Sequence, residues 1–376
     1  MDGLRGIAML FVFFGHFASM WSLLPHPGGL AEIYLRVIDA DATIGSSFFM
    51  LLSGLFAYGT LSRGKPFGLF IRGRCYRLYP LYLLLCAAYV AGEMLYPKHS
   101  KLPSDPLQCG IFLLETLFFL PGVLPVHPLM DVAWTLSFVV LFYFISGLVA
   151  GLFRIWPVMR PFRILILIAC GVVWAIFGQQ TNRFEPRTAM FWVGMALSEV
   201  IHGIMGRRLI WAARLTVPAV ALFVAGVWIR TELMLQRPHT PIPLALIRVG
   251  VTAVALFGVV WVAYFGPEWW KRVLSRPSLC ELGAVSYSYY LTHGIAIKAF
   301  QHGMVPLLGP LAFTPVVFWS SQLLILSLSI LIARAVYLTI ENPLSTRVPK
   351  WTQAIVIRFS SVATWWNEDS EAASIR

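Results

Sequence analysis

A chain of 376 residues in which 58% are hydrophobic and only 12% are charged is too apolar to be a water-soluble domain. The net charge of +12 does not indicate nucleic-acid binding, because the Lys and Arg residues are spread over short loops between apolar stretches and form no single patch. With a mean hydropathy of +0.75, the chain is expected to be a membrane protein that binds no nucleic acid.

Apolar stretches of about 20 residues, the length that crosses a hydrocarbon core of about 30 Å, recur along the whole chain. They predict an all-α, polytopic membrane protein with about ten transmembrane helices. The predicted spans are 3–24, 43–61, 76–96, 131–153, 162–178, 187–205, 211–230, 244–265, 284–306 and 314–340. A shorter apolar run near 108–120 ends at Pro121 and is expected to be re-entrant or interfacial.

The distribution of Lys and Arg predicts the orientation of these spans, since cytoplasmic loops collect basic residues. With the N-terminus inside, most basic loop residues fall on the inner side, so we expect both termini to be cytoplasmic. No basic leader with an Ala-x-Ala cleavage site is present, and a removable signal peptide is not expected. The predicted organisation is a transmembrane bundle at 1–345 and a partly disordered cytoplasmic tail at 346–376, in the inner (cytoplasmic) membrane.

The five cysteines are scattered through apolar segments without CxxC spacing. This pattern favours buried small hydrophobic residues over a zinc site or a disulfide scaffold. The sequence therefore suggests no metal-binding residues.

The first predicted span carries two unusual side chains, Arg5 and His16, in the stretch MDGLRGIAMLFVFFGH. Eleven residues make about three helical turns, so the two lie on nearly the same face and roughly 16 Å apart. Such a face suits a long ligand with an anionic end at Arg5 and a reactive end near His16. A titratable residue within a span indicates a functional site, although a histidine hydrogen-bonded inside the bundle is the structural alternative.

A second cluster, FIRGRCYRLYP, places Arg72, Arg74 and Arg77 at the inner end of the third predicted span. Arg74 and Arg77 share a face if the helix already includes them, and paired guanidinium groups suit phosphate. Arginines at this depth also serve orientation and binding of anionic lipid, so the spacing alone leaves both interpretations open.

Two further polar stretches lie at span starts. ELGAVSYSYYLTHG contains Tyr287, Tyr290 and His293, and AWTLSFVVLFYF contains Trp134 and Ser137. Hydroxyl groups so dense in a membrane segment face a cavity or another helix. Interfacial tyrosines account equally well for the first of these residues.

In this order, these stretches resemble the integral-membrane acyltransferase-3 family. MDGLRG with Arg5 and His16 is similar to the opening motif of the family, RCYRLYP to its Arg-x-x-Arg motif, and AWTLSFVVLFY to its Trp-Ser-Leu-Ser motif. SSFFMLLSGLFAYG is similar to its second helix, SYSYYLTHG to its Ser-Tyr-Ser-x-Tyr-Leu-x-His helix, and ENPLSTR to its closing Glu-x-Pro motif.

The resemblance implies an O-acyltransferase that moves an acyl group, usually acetyl, from acyl-CoA to a hydroxyl of an extracytoplasmic glycan or related acceptor. It implies that His16 is the catalytic base or an acyl relay and that Arg5, Arg74 and Arg77 bind the phosphates of the donor. Acyl-CoA is then a co-substrate, and no permanently bound cofactor is expected. The residues that the resemblance gives a supporting role are Asp2, Trp134, Ser137, Tyr287, Tyr290 and His293.

One departure from the family pattern concerns Val139 and Val140, which stand where the family commonly has acidic residues. Asp2, Glu115 or Asp131 could supply a carboxylate in their place. The departure keeps a catalytically inactive relative open as an alternative, and a carrier or permease for a sugar or an anion is a second one. A homo-oligomer is compatible with each of these functions.

Overall fold

The computed structural model of the protein is built from α-helices and contains no β-strand in its described part, so the all-α prediction is confirmed. The structure describes residues 2–22, 24–25, 27–40, 43–95, 101–130, 132–181, 185–205, 216–236 and 242–345. The predicted tail at 346–376 lies outside the described residues.

Fifteen helices follow one another in the described chain, most of them joined by short connections. They are α1 (Asp2–Trp21), α2 (Gly29–Ala40), α3 (Ile44–Ser62), α4 (Phe67–Leu95), α5 (Pro106–Leu117), α6 (Ala133–Ile155), α7 (Arg160–Thr181), α8 (Met190–Met205), α9 (Thr216–Gln236), α10 (Ile242–Phe265), α11 (Glu268–Leu274), α12 (Pro277–Ala284), α13 (Ser286–Ala299), α14 (Val305–Leu308) and α15 (Pro315–Val336). A 3₁₀ turn at Pro186–Ala189 precedes α8, and π-helical turns at Phe300–Met304 and Tyr337–Glu341 follow α13 and α15.

Seven helical segments of the described chain are long and apolar enough to cross a membrane, which makes this a multi-pass membrane protein. They are Asp2–Trp21, Gly29–Ser62, Phe67–Leu95, Ala133–Ile155, Arg160–Thr181, Ile242–Phe265 and Pro315–Ser345. The three other predicted spans correspond to α8, α9 and α13. Because α8 has 16 residues and α13 has 14, neither is long enough alone, and the count of ten and the orientation of the termini stay predictions.

Helix α4 begins well before the predicted span at 76–96, so the arginine-rich stretch is helical and not a loop. The helix includes Arg74 and Arg77, and the prediction that they share a helical face is confirmed. Pro80 lies inside α4. Its missing N–H leaves one carbonyl of the preceding turn without its helical partner, a common cause of local bending.

Helix α2 is an element that the apolar pattern did not predict. Its sequence contains Glu32 and Arg36, which form an ion pair of 2.9 Å one turn apart and lower the hydropathy of the segment. The Tyr34 hydroxyl is hydrogen-bonded to the side chain of Gln322, and the Tyr34 ring packs edge-on against Phe318. These contacts join α2 to α15.

Helix α5 corresponds to the run near 108–120 that was expected to be re-entrant or interfacial. It has 12 residues, or about 18 Å of rise, which is too short to cross a hydrocarbon core. Asp105 caps its first turn by accepting a hydrogen bond from the Gln108 amide at 2.9 Å. At its other end the Tyr82 hydroxyl donates to the Thr116 carbonyl at 2.8 Å, which ties α5 to α4.

Glycines allow close packing of the helices around α3 and α1. A Cβ atom added at Gly194 of α8 would lie 2.0 Å from the Leu51 carbonyl oxygen of α3, and one at Gly54 would lie 2.1 Å from the Phe191 carbonyl oxygen. On α12, a Cβ at Gly283 would lie 1.9 Å from the Asp2 carbonyl oxygen of α1. Small residues at such contacts bring helix backbones together in membrane bundles.

Replacing Gly194 by alanine is expected to destabilise the protein, because the added methyl group meets backbone that cannot move without separating α3 from α8. Overpacking of this kind costs about 1–3 kcal/mol. Gly151→Ala on α6 is the matched control, since a Cβ there meets nothing within 4 Å and alanine favours a helix. Thermal unfolding in detergent should show a lower midpoint for Gly194→Ala only, and equal midpoints for both variants would contradict the close contact.

Candidate active site

A cavity of about 120 Å³ lies inside the bundle, between α1, α3, α4, α6 and α13. Three of its lining side chains are Arg5 of α1 and Arg74 and Arg77 of α4. Arg5 interacts electrostatically with both other arginines, so three like charges share one space. The predicted donor-binding residues therefore come together in the fold, although they belong to two helices far apart in sequence.

The three guanidinium groups are held by aromatic rings and carboxylates. Arg5 lies 5.1 Å from the Phe56 ring centroid, and its Nη1 is 3.2 Å from the Asp2 carboxylate. Arg74 lies between the rings of Phe70 and Tyr143, at 5.1 and 5.2 Å. Stacking on ring faces fixes a guanidinium group in place while its N–H edge stays available to a ligand.

Arg77 is oriented by a carboxylate of the ENPLSTR stretch that was not among the predicted site residues. Glu341, in the π turn after α15, is only 3% exposed. It accepts a hydrogen bond of 2.6 Å from Ser288, and its Oε1 lies 3.8 Å from Arg77 Nε. Val139, at the position of an expected acidic residue, lines the cavity with an apolar side chain. A buried carboxylate near the arginines thus comes from the turn that follows α15.

Two histidines lie beyond the end of the cavity that is opposite the arginines. They are His16 of α1 and His293 of α13, and their ring centroids are 5.0 Å apart. His293 is buried, and its Nδ1 lies 3.1 and 3.0 Å from the carbonyl oxygens of Tyr289 and Tyr290. Since a carbonyl only accepts, Nδ1 carries the proton and Nε2 has the free lone pair of the neutral ring.

The His16 side chain is exposed, although its neighbours Gly15 and Phe17 are buried. It stands about three turns, or roughly 16 Å, from Arg5 along α1. Tyr290 connects the histidines to the cavity, because it lines the cavity and its ring centroid is 6.2 Å from that of His293.

Arg187, in the turn before α8, is a charged group of this end that was not among the predicted site residues. Its guanidinium lies 5.1 Å from the Trp134 ring centroid, and its Nη1 donates to Ser46 Oγ at 3.4 Å. It interacts electrostatically with both His16 and Tyr290. No spacing rule in the sequence connects Arg187 to His16, so only the fold brings them together.

Comparison with known proteins identifies the family. A family model described as an acyltransferase domain, Acyl_transf_3, matches residues 1–337. The chain belongs to the acyltransferase-3 family. No curated protein and no solved structure matches it. The matched residues include the three arginines of the cavity and the pair His16 and His293, whereas Glu341 lies just beyond them.

The remaining predicted site residues of this acyltransferase-3 protein have clear structural positions. Tyr290 is hydrogen-bonded to the Thr135 hydroxyl and donates to the Val132 carbonyl at 2.9 Å, which joins α13 to the start of α6. Tyr287 donates to the Leu78 carbonyl at 2.6 Å and joins α13 to α4. These two tyrosines both line the cavity and hold its walls together.

Trp134 and Ser137 differ in their distance from the histidine end of the site. Trp134 packs on Arg187 and so touches the His16 end of the site. Ser137 is buried and donates to the Ala133 carbonyl of its own helix at 3.3 Å, and it does not line the cavity. Asp2 pairs with Arg5 at the opposite end from His16, and Asp131 lies outside the described residues.

Proposed function

We propose that the protein is a membrane O-acyltransferase that moves an acyl group, acetyl in the simplest case, from acyl-CoA to a hydroxyl of an extracytoplasmic glycan or a related acceptor. The observation that carries this proposal is the polarity of the central cavity. It has three guanidinium groups at one end and a histidine pair beyond the other end, roughly 16 Å away along α1. A donor with an anionic end and a reactive end matches this arrangement.

The phosphates of acyl-CoA are placed at Arg5, Arg74 and Arg77, whose planar N–H edges suit phosphate oxygens. Only two carboxylates, Asp2 and Glu341, pair with these three arginines in the described residues, so positive charge remains for an anion. We place this end at the cytoplasmic face of the inner membrane, where acyl-CoA is available and where basic residues collect.

The acyl group is placed near His16 at the other end. The neutral imidazole takes the proton of the acceptor hydroxyl as the oxygen attacks the thioester carbonyl carbon, and the C–S bond then breaks to release the thiolate, which receives the proton. In the relay route, the imidazole nitrogen attacks the carbonyl carbon and the C–S bond breaks to release the CoA thiolate. The acceptor hydroxyl then attacks the acyl-histidine, the C–N bond breaks, and the hydroxyl proton passes through the imidazole to the thiolate. In both routes the positive charge of Arg187 stabilises the oxyanion that forms on the attacked carbonyl.

Purified protein in detergent tests the proposal by acyl-CoA binding and by slow release of free CoA thiol. We expect wild type to bind and to cleave acetyl-CoA, and Arg187→Gln to bind it with similar affinity but to cleave it more slowly. Binding without any cleavage would favour the catalytically inactive relative, which keeps the arginines of the donor site. If a folded wild-type protein shows neither, acyl-CoA is not its donor, and the carrier for a sugar or an anion is the better description.

A further inference from the structure

A second cavity, of about 420 Å³, lies where α3, α6 and α8 end and α7 begins. It shares no lining residue with the central cavity. Its lining is strongly basic and contains the arginines 63, 154, 160 and 163, together with His202. Glu199 is its one carboxylate among the described residues.

The buried Glu199 carboxylate has three side-chain partners. It is 5% exposed, accepts a hydrogen bond of 2.5 Å from the Tyr58 hydroxyl, and pairs with Arg160 at 3.3 Å and Arg163 at 3.0 Å. The side chains of Arg160 and Arg163 remain 42% and 24% exposed. One buried carboxylate thus positions two guanidinium groups whose remaining N–H groups are available to a ligand in the cavity.

The other two arginines have neutral partners. Arg63 Nη1 lies 2.7 Å from His202 Nε2, and His202 Nδ1 lies 2.6 Å from the Ser198 carbonyl oxygen. Because that carbonyl only accepts, His202 carries its proton on Nδ1 and Nε2 accepts from Arg63. Arg154 donates to the Leu61 carbonyl at 3.1 Å. Neither Arg63 nor Arg154 forms an ion pair with a carboxylate in the described part of the chain.

The cavity therefore has three more positive than negative charges. Like charges gathered in a confined space repel one another, and an anion bound among them offsets this repulsion. The N-terminus of the 22-residue helix α7 adds a favourable dipole. Guanidinium forks that point in from several directions can bind several oxygens at once. A phosphate ligand therefore fits this cavity better than a carboxylate ligand.

We propose that this cavity binds a phosphate group, separately from the donor site at Arg5, Arg74 and Arg77. The phosphate belongs either to the headgroup of an anionic lipid, since the cavity lies at helix ends, or to a soluble phosphate ester. The arginines supply the same chemistry to both sources. The proposal does not rest on acyl transfer, and its test contains no acyl-CoA.

The test measures binding of inorganic phosphate and of short-chain phosphatidic acid to the full-length protein in a zwitterionic detergent. Arg63→Gln/Arg154→Gln is the decisive variant, because it removes two charges and leaves the Glu199 contacts intact. Arg72→Gln/Arg272→Gln removes the same charge from arginines that line neither cavity. We expect the first double variant to bind about tenfold more weakly or worse, and the control to bind like wild type.

The two probes also separate the sources. Only binding that Arg63→Gln/Arg154→Gln weakens is assigned to this cavity, because the central cavity also contains arginines. Such binding of phosphatidic acid alone assigns the cavity to a lipid headgroup, whereas such binding of inorganic phosphate, with or without the lipid, assigns it to a soluble ester. The proposal is overturned if wild type binds neither probe, or if both double variants lose affinity equally. Because acyl-CoA cleavage is measured separately, a failure here leaves the acyltransferase proposal standing, and the reverse also holds.

Discussion

Replacing His16 by alanine is expected to abolish acyl-CoA cleavage while acyl-CoA binding persists. The donor phosphates are placed at the arginine end of the cavity, roughly 16 Å from His16, so removal of the imidazole leaves the anionic contacts intact. Loss of a general base costs about 10²–10⁴-fold in rate. Steady-state release of CoA thiol gives the rate, and calorimetric titration with acetyl-CoA gives the affinity.

His127→Ala is the matched control, because His127 is also exposed but belongs to the loop between α5 and α6 and lines neither cavity. It should keep the wild-type rate. The proposed role of His16 fails if His16→Ala cleaves acyl-CoA at the wild-type rate, or if it loses binding and cleavage together. Intact-mass analysis of rapidly quenched wild type then separates the two routes, since only the relay forms an acyl-histidine.

Sequence reasoning predicted the parts of the site that follow from helical spacing. The eleven-residue interval between Arg5 and His16 needed only that α1 be a continuous helix, and the pairing of Arg74 with Arg77 needed only that α4 include both. The family resemblance added their roles. That these residues meet around one cavity depends on how α1 packs against the other helices, which no local pattern encodes.

The parts that sequence reasoning missed depend on contacts between distant segments. Arg187 reaches Ser46 across 141 residues, and Glu341 reaches Ser288 across 53 residues. In the sequence, Arg187 looks like one more loop charge and Glu341 like the end of a span. The missing acidic residue at Val139 drew attention to Asp2, Glu115 and Asp131, whereas the buried carboxylate near the arginines is Glu341.

Helix ends were also predicted less well than helix cores. Apolar windows placed the third span at 76–96 because three arginines lie within the first three turns of α4, yet the helix begins at Phe67. The Phe67 ring packs edge-on against Phe144, and Arg74 stacks on Tyr143, so contacts with α6 stabilise a basic helical start. Tertiary packing overrides local composition at such positions.

Replacing Arg74 and Arg77 together is expected to weaken acyl-CoA binding by on the order of 100-fold or more, since each charge-assisted hydrogen bond contributes about 1.5–3 kcal/mol. Arg72→Gln is the matched control on the same helix, because Arg72 does not line the cavity. It should bind acyl-CoA with wild-type affinity. Equal losses in Arg74→Gln/Arg77→Gln and in Arg72→Gln would mean that general positive charge on α4, and not a specific site, attracts the donor.

The loss of Arg77 needs a second control, because it leaves the buried Glu341 carboxylate with the Ser288 hydroxyl as its hydrogen-bond partner. An uncompensated buried charge destabilises the fold, and weak binding could then reflect poor folding. Arg77→Gln/Glu341→Gln removes both charges and keeps two side chains that can hydrogen-bond. We expect this pair to recover the thermal midpoint lost in Arg77→Gln but not the affinity for acetyl-CoA. Recovery of the affinity as well would make Arg77 a residue that acts through the fold, and the donor phosphates would then depend on Arg5 and Arg74.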